Sequence, residues 1–233
     1  MVTINLSGEL MSDDWADLYR YFGYEAGFYC PGDIRAAIQT LKPGEELVLE
    51  INSIGGHVDA AAEIYAILSK LSNPTRAEIQ SMAASAASYF PLACDRVEIA
   101  LPAQMMIHCA SWGVGGNKHD HRWTAQQLDV TDNSILDVYC RKCGEKTSRE
   151  ELERLMNEES YLSARQCLEM GLVDAIIGDV SESDTSALVA SIHNNTIRAM
   201  RTLPGIEDLR IRKKAEQDAM DKELADEKAR YTM

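Results

Sequence analysis

Strand-like and helix-like segments alternate along the first part of the chain, and this alternation constrains the fold more than any other feature of the sequence. Residues 47–51 form an apolar run of the kind found in buried strands. A helical pattern follows, with apolar side chains along one side at Val58, Ala61, Ala62, Tyr65, Leu68 and Leu71. Residues 76–80 then read as a second strand. This order predicts parallel βαβ units joined by right-handed crossovers.

The segments that precede residue 47 extend the pattern. Residues 3–10 alternate apolar and polar side chains and indicate an opening strand and turn. Residues 12–29 are rich in aromatic side chains, which favours packing in the core or against another subunit. A helix is predicted to begin with Asp33 as its N-cap and to pack on the strand at residues 47–51.

Composition and charge exclude several classes of protein. The chain has 233 residues, 45% of them hydrophobic, which is enough to bury a substantial core in one domain with an appendage. The formal net charge of -14 argues against nucleic acid or an anionic membrane as the main partner. No secretory signal is evident at residues 1–4, and Pro91 and Asp95-Arg96 interrupt the most apolar stretch, so no membrane span is predicted. Six scattered cysteines indicate reduced thiols in a cytosolic protein.

The parts of an acyl-transfer site occur in order between residues 52 and 108. A serine hydroxyl needs a base to activate it, a group that orients the base, and donors for the oxyanion that develops during attack. Ser85 lies between a strand-like run and a run of small residues, where the start of a helix would leave backbone N–H groups free. Gly55 and Gly56 can direct a second N–H toward the same point. His108 ends a strand-like run ahead of a glycine-rich loop.

Each of these residues also has a plainer interpretation. Ser85 alone is more often a helix-capping serine, and His108 alone is more often a hydrogen-bonded core histidine. Their ordered combination with the glycine pair favours catalysis over both. His57, beside the glycines, is expected to be a loop or first-turn histidine rather than part of a substrate pocket.

The sequence motifs resemble those of the ClpP family of serine peptidases, in order from about residue 3 to residue 177. They are Ile51-Asn52-Ser53-Ile54-Gly55-Gly56, Ala83-Ala84-Ser85, Leu101-Pro102, Met106-Ile107-His108, Tyr161-Leu162-Ser163-Ala164 and Gly171-Leu172-Val173-Asp174. The likeness is greatest to the phage and prophage branch, the ClpP-like head-maturation proteases. It implies an α/β fold, a ClpP and crotonase-like spiral of repeated ββα units, with a handle helix matched here by residues 123–142.

The resemblance also implies roles for individual residues. Ser85 matches the nucleophile, His108 matches the base, and the backbone N–H groups of Gly55 and Ala86 match the pair that forms the oxyanion hole. The expected substrate-groove residues are Gly56, Trp112 and Gly113.

The acidic member of the triad is where the chain departs from the family pattern. The family position falls on Glu159, with Glu158 adjacent, and Asp174 is the alternative. A glutamate can orient an imidazole, but its additional methylene moves the carboxylate by roughly an ångström or more. Two further departures are Ser81, where the family usually has glycine, and Ile54, where it usually has proline.

The resemblance implies protein or peptide substrates and a homo-oligomeric ring, either a heptamer or a double heptamer. The partners it suggests are an AAA+ ATPase or capsid and scaffold proteins, in the bacterial host cytoplasm or in a procapsid. No cofactor and no metal are expected. A zinc site is the less favoured interpretation of His119 and His121 with Cys140 and Cys143, because a lone CxxC in a helical pattern is a weak signal.

The composition changes near residue 179. Residues 1–178 are predicted to form the peptidase domain, and residues 179–233 a linker followed by a charged, helical C-terminal extension. That extension is either a solvated tail or an interaction helix.

Three functions remain open from the sequence. The first is a serine endopeptidase that cleaves unfolded proteins or phage head-assembly proteins through an acyl-enzyme. The second is a catalytically degenerate ring or scaffold subunit, since position 159 holds glutamate. The third is a crotonase-type acyl-CoA enzyme, which would use a carboxylate base, so the presence of both Ser85 and His108 argues against it.

Overall fold

The computed structural model describes residues 1–179, which form one compact unit. The strands are β1 (Val2–Leu10), β2 (Phe28–Tyr29), β3 (Leu47–Gly56), β4 (Thr75–Ala84), β5 (Arg96–Ala100), β6 (Gln104–Ile107), β7 (Ser160–Ser163) and β8 (Ala175–Ile177). The α-helices are α1 (Asp13–Tyr21), α2 (Pro31–Thr40), α3 (Val58–Leu68), α4 (Lys118–Cys143), α5 (Arg149–Asn157) and α6 (Ala164–Met170). Short 3-10 helices cover Ser85–Ser88, Phe90–Ala93 and Gly144–Lys146. The predicted linker and charged extension lie, apart from Asp179, outside the described residues, and that domain division stays a prediction.

Within residues 1–179 the eight strands form one sheet, in which β2, β1, β3, β4, β5 and β8 are successive neighbours. Every pair along this path is parallel. Strand β6 pairs in parallel with β4, and β7 pairs antiparallel with β6. The predicted α/β class, with a parallel sheet and crossover helices, is confirmed.

Strand β4 divides its pairing between two partners. Arg76 to Ile79 pair with β5, whereas Met82 to Ala84 pair with β6. Because β3, β4 and β6 are parallel, their carboxyl ends meet at one edge of the sheet, which is where α/β proteins place functional side chains. Strand β7 runs the other way, so its amino end reaches the same edge.

Three helices differ from their predictions: α2 in its N-cap, α3 in its buried face and α4 in its first residue. Helix α2 has Cys30 as its N-cap, and Asp33 is instead the third helical residue, whose carboxylate accepts from the Cys30 N–H. The reason is Pro31, which takes the first turn, where its missing N–H costs nothing. Helix α3 buries Ala60, Ala61, Ile64 and Leu68, a face rotated from the predicted one.

Helix α4 has 26 residues and begins at Lys118 rather than at the predicted Trp123. Asn117 caps it, since its side chain accepts from the His119 N–H while Asp120 accepts from the Asn117 N–H. The predicted long helix is therefore present and extended at its start. None of the helices within residues 1–179 is both long enough and apolar enough to cross a membrane.

The aromatic segment ahead of α2 is largely solvent-exposed. Trp15, Tyr21, Phe22 and Tyr24 are exposed, whereas Tyr29 is buried in the main core. The alternative of core packing is therefore wrong for these four exposed side chains, and packing against another subunit stays a prediction.

Candidate active site

The carboxyl ends of three neighbouring strands bring together the residues that the motifs single out. Gly55 and Gly56 are the last two residues of β3. Ser85 follows the last residue of β4, and His108 follows the last residue of β6. The sheet topology thus places the glycine pair, the serine and the histidine at a common edge.

Ser85 and His108 are joined by a hydrogen bond. The distance between Ser85 Oγ and His108 Nε2 is 2.7 Å, which suits transfer of the hydroxyl proton to the imidazole. Ser85 has φ of 54°, in the left-handed region that non-glycine residues rarely adopt. It opens a 3-10 helix of four residues, so the helix expected after Ser85 is only a short one. The sharp turn presents the hydroxyl at the sheet edge.

Glu159 lies on the other side of the imidazole. Its Oε1 is 3.8 Å from His108 Nδ1, which is an ion-pair distance and longer than a hydrogen bond. The Glu159 side chain is 75% exposed, and its φ is 51°. The other acidic candidate, Asp174, is engaged elsewhere, because its carboxylate accepts from Lys142 Nζ and from the Val97 N–H.

Gly55 lies against the serine turn. A Cβ at this position would lie 2.5 Å from the Ala84 carbonyl oxygen, 2.7 Å from Ser85 Cβ and 2.8 Å from the Ala86 nitrogen. Its φ is 89°, so the site requires glycine for both backbone conformation and space. The Gly55 and Ala86 amides therefore belong to segments in close contact beside the Ser85 hydroxyl.

The Gly55 N–H already has an acceptor in this structure. Ser53 Oγ accepts from it at 3.1 Å and from the Tyr29 hydroxyl at 2.9 Å, and donates to the Gly8 carbonyl at 2.6 Å. Ser53 and Tyr29 are 1% and 2% exposed. In the sequence, Ser53 is marked only by its position two residues before the first glycine, and Tyr29 only by its place in the aromatic segment.

A second buried hydroxyl pair lies beneath the serine turn. Ser88 Oγ donates to the Ser85 carbonyl at 2.5 Å and lies 2.6 Å from the Tyr139 hydroxyl on α4. Ser88 is fully buried, and Tyr139 is 1% exposed. In the sequence, Ser88 is marked only as part of the run of small residues after Ser85, and Tyr139 only as part of the predicted helix at residues 123–142.

A cleft of about 270 Å³ opens between the start of α3 and the segment after His108. His57, Trp112 and Thr131 are among its lining residues. His57 is the N-cap of α3, as the plainer interpretation expected, although it also faces this cleft. Trp112 is exposed and packs at a tilt against Trp123, with 6.2 Å between the ring centroids. Gly113 has open space around its Cα.

Histidines 119 and 121 both lie in the first turns of α4, whereas Cys140 and Cys143 lie at its last turn. A 26-residue helix separates its two ends by about 1.5 Å per residue, so these pairs cannot share one ion. In the part of the chain that the structure describes, no three His, Cys, Asp or Glu side chains are grouped to hold a metal ion.

Comparison with known proteins adds an independent finding. The family model described as Clp protease matches residues 34–180. The chain is 33% identical over 144 residues to the ATP-dependent Clp protease proteolytic subunit 1 of Chlamydia muridarum, covering 60% of this chain and 74% of the relative. It is 26% identical over 153 residues to the protein of that name from Protochlamydia amoebophila, covering 64% of this chain and 73% of the relative.

Proposed function

The chain belongs to the Clp protease family, and from this membership we propose that it is a serine endopeptidase with Ser85 as nucleophile and His108 as general base. The observation that carries the proposal is the 2.7 Å contact between Ser85 Oγ and His108 Nε2 at the edge where three strands end. Glu159 is the proposed orienting acid, since its carboxylate lies on the Nδ1 side of the imidazole.

The proposed reaction proceeds through an acyl-enzyme. His108 Nε2 takes the proton of the Ser85 hydroxyl as Oγ attacks the carbonyl carbon of a peptide bond. The imidazolium then gives that proton to the leaving amine, and the amine departs. Water attacks the resulting ester, again with His108 as base, and the carboxylic acid product is released. Glu159 stabilises the imidazolium that forms in each half of the reaction.

The backbone N–H groups of Gly55 and Ala86 are the proposed donors to the tetrahedral oxyanion. Ala86 is the second residue of the 3-10 helix that Ser85 opens, so its N–H has no partner within that helix and is available to an oxyanion. The Gly55 N–H would exchange Ser53 Oγ for the oxyanion, because a charged acceptor forms a stronger hydrogen bond than a neutral hydroxyl. No metal or cofactor enters this chemistry.

The proposed substrates are unfolded proteins or assembling phage head proteins. Their proposed groove is the cleft lined by His57 and Trp112, with Gly56 and Gly113 next to these two residues in the chain. The motifs that resemble the phage and prophage branch support the second substrate class. Clp protease relatives named as ATP-dependent proteolytic subunits support a homo-oligomeric ring with an AAA+ ATPase. In such a ring, α4 would act as the handle helix between stacked subunits.

The alternative is a degenerate subunit with a structural role in a ring or scaffold. The specific observation that favours it is the separation of 3.8 Å between His108 and a highly exposed Glu159, which leaves the imidazole without a short hydrogen bond to its acid.

Hydrolysis of a fluorescein-labelled unfolded casein by the purified oligomer tests the proposal. We expect cleavage that is lost in both Ser85→Ala and His108→Ala, with each variant eluting from size-exclusion chromatography as the wild type does. Cleavage that survives Ser85→Ala would contradict the assigned nucleophile.

A further inference from the structure

We propose that Ser88 and Tyr139 are positioning residues for catalysis, because together they fix the peptide plane that carries the Ala86 N–H. The inference rests on the proposed function. It concerns a chain of hydrogen bonds that runs from the Tyr139 hydroxyl on α4 to Ser88 Oγ and from there to the Ser85 carbonyl.

The direction of the chain follows from its last member. The Ser85 carbonyl can only accept, so the Ser88 hydroxyl uses its proton there, at 2.5 Å. The contact of 2.6 Å between Ser88 Oγ and the Tyr139 hydroxyl then requires Tyr139 as donor. Burial raises the pKa of the Tyr139 hydroxyl above its usual value, so the phenol keeps its proton at neutral pH and can donate it.

The Ser85 carbonyl matters because of what lies on the other side of the same peptide bond. A trans peptide is planar, and its C=O and N–H groups point in opposite directions. Since Ser88 holds the Ser85 carbonyl toward the buried side, the Ala86 N–H is directed the opposite way. Gly55 lies close to that nitrogen, since a Cβ on Gly55 would be 2.8 Å from it. Anchoring one end of the peptide plane therefore directs the other end toward the proposed oxyanion position.

The turn needs such an anchor because its own geometry is unfavourable. Ser85 has φ of 54°, a conformation that persists in a non-glycine residue only where the surroundings enforce it. The 3-10 helix that follows has four residues and ends at Ser88 itself. Short 3-10 segments have poor hydrogen-bond geometry of their own. Tyr139, which lies 51 residues beyond Ser88 in the chain, supports the turn from outside through its contact with Ser88.

The chain of hydroxyls also ties the nucleophile to α4. Tyr139 is among the largest fully buried side chains and belongs to the same core cluster as Ala86 and Ala87. A displacement of α4 would thus reach the Ser85–Ala86 peptide through two hydrogen bonds, without passing through His108 or Glu159.

The test compares Tyr139→Phe and Ser88→Ala with the wild-type oligomer, using the second-order rate of Ser85 labelling by a fluorophosphonate. Tyr139→Phe removes a single oxygen, and we expect labelling about fivefold slower, the equivalent of one neutral hydrogen bond. Ser88→Ala removes the anchor itself, and we expect a loss of about tenfold or more, short of the loss of an oxyanion donor. The double variant should be no slower than Ser88→Ala, because both act through one chain. In peptide hydrolysis the loss should fall on kcat and leave KM unchanged.

Thr75→Val is the matched control for lost stability. Thr75 is the first residue of β4 and lies about 30 Å along the strand from Ser85. It is buried, and its hydroxyl donates to the Asp95 carboxylate. This variant should lower the melting temperature without slowing the labelling. Hydrogen exchange of the 84–89 backbone gives a readout that needs no activity, and it should increase in Tyr139→Phe but not in Thr75→Val.

The outcomes separate this inference from the proposed function. A wild-type protein that does not label at Ser85, but whose 84–89 exchange increases in Tyr139→Phe, would overturn the function and keep the positioning chain. A wild type that labels, with Tyr139→Phe matching it in labelling and in exchange, would overturn the inference. Equal slowing in Thr75→Val would also overturn it.

Discussion

His108 and Glu159 face each other across the antiparallel pair of β6 and β7. The register pairs Met106 with Tyr161 and Ile107 with Ser160, so the next step beyond the strands places His108 opposite Glu159. The distance from Nδ1 to Oε1 is 3.8 Å. A carboxylate is therefore set beside the imidazole by strand pairing, and its catalytic role stays a prediction.

Glu159→Gln should slow acylation by only about fivefold, because an exposed ion pair contributes about 1 kcal/mol. The loss should shrink further as salt is raised from low ionic strength. Glu158→Gln is the matched control. It removes the same charge at the neighbouring residue, whose carboxylate pairs with Arg154. Fluorophosphonate labelling rates of both variants and of the wild type measure the effect. A loss beyond a thousandfold would mean that Glu159 is hydrogen-bonded to His108 in the active assembly.

Gly55→Ala should abolish labelling and lower stability. The new Cβ would meet backbone atoms of Ala84 and Ala86 at less than 3 Å, in a conformation with φ of 89°. Gly115→Ala is the comparison, because nothing lies within 4 Å of a Cβ there. Labelling and thermal melting of both variants check this, and an active Gly55→Ala would exclude the close approach of β3 to the serine turn.

Ser53→Ala should destabilise the fold by about 2 kcal/mol or more, because it leaves the buried Tyr29 hydroxyl and the Gly55 N–H without their acceptor. Tyr29→Phe removes one donor and should cost about 1 kcal/mol. Urea unfolding at a fixed protein concentration measures both free energies. If Ser53→Ala were as stable as the wild type, the hydroxyl would not be supporting the glycine turn.

Cys109, next to His108, should not compete with Ser85 as a nucleophile at neutral pH. Burial raises the pKa of its thiol to about 11, and the negative charge of Asp132 contributes to the same shift. The thiolate fraction is therefore small at pH 8 and rises about tenfold per pH unit below the pKa. Iodoacetamide at pH 8 should therefore leave Ser85 labelling unchanged. Mass spectrometry of the peptide containing Cys109, across pH 7 to 10, follows the modification. Rapid alkylation at pH 7 would contradict the raised pKa.

The sequence predicted the parts of the fold and site that depend on local patterns. Apolar periodicity predicted the parallel strands, and the motif order placed Ser85 and His108 at strand ends that the topology brings together. The buried hydroxyl contacts could not be predicted this way. Tyr139 contacts Ser88 across 51 residues, and nothing in an amphipathic helix pattern says that one of its core side chains donates a hydrogen bond.

The helix starts were predicted wrongly for a different reason. The start of α4 depends on Asn117 and Asp120 acting as a reciprocal cap, a signal that was present but obscured by the glycines before it. The N-cap of α2 is a cysteine, a residue type with little capping preference, so local chemistry pointed to Asp33 instead. The rotated face of α3 reflects which side the sheet covers, and this depends on tertiary packing.

The most direct test of the central claim is to locate the adduct that a fluorophosphonate probe forms on the purified, assembled protein. We expect a single covalent phosphonate on Ser85, found by peptide mass spectrometry, that is absent from Ser85→Ala and at least a hundredfold slower to form in His108→Ala. An unmodified Ser85 in a folded oligomer, or modification that is indifferent to His108, would contradict it.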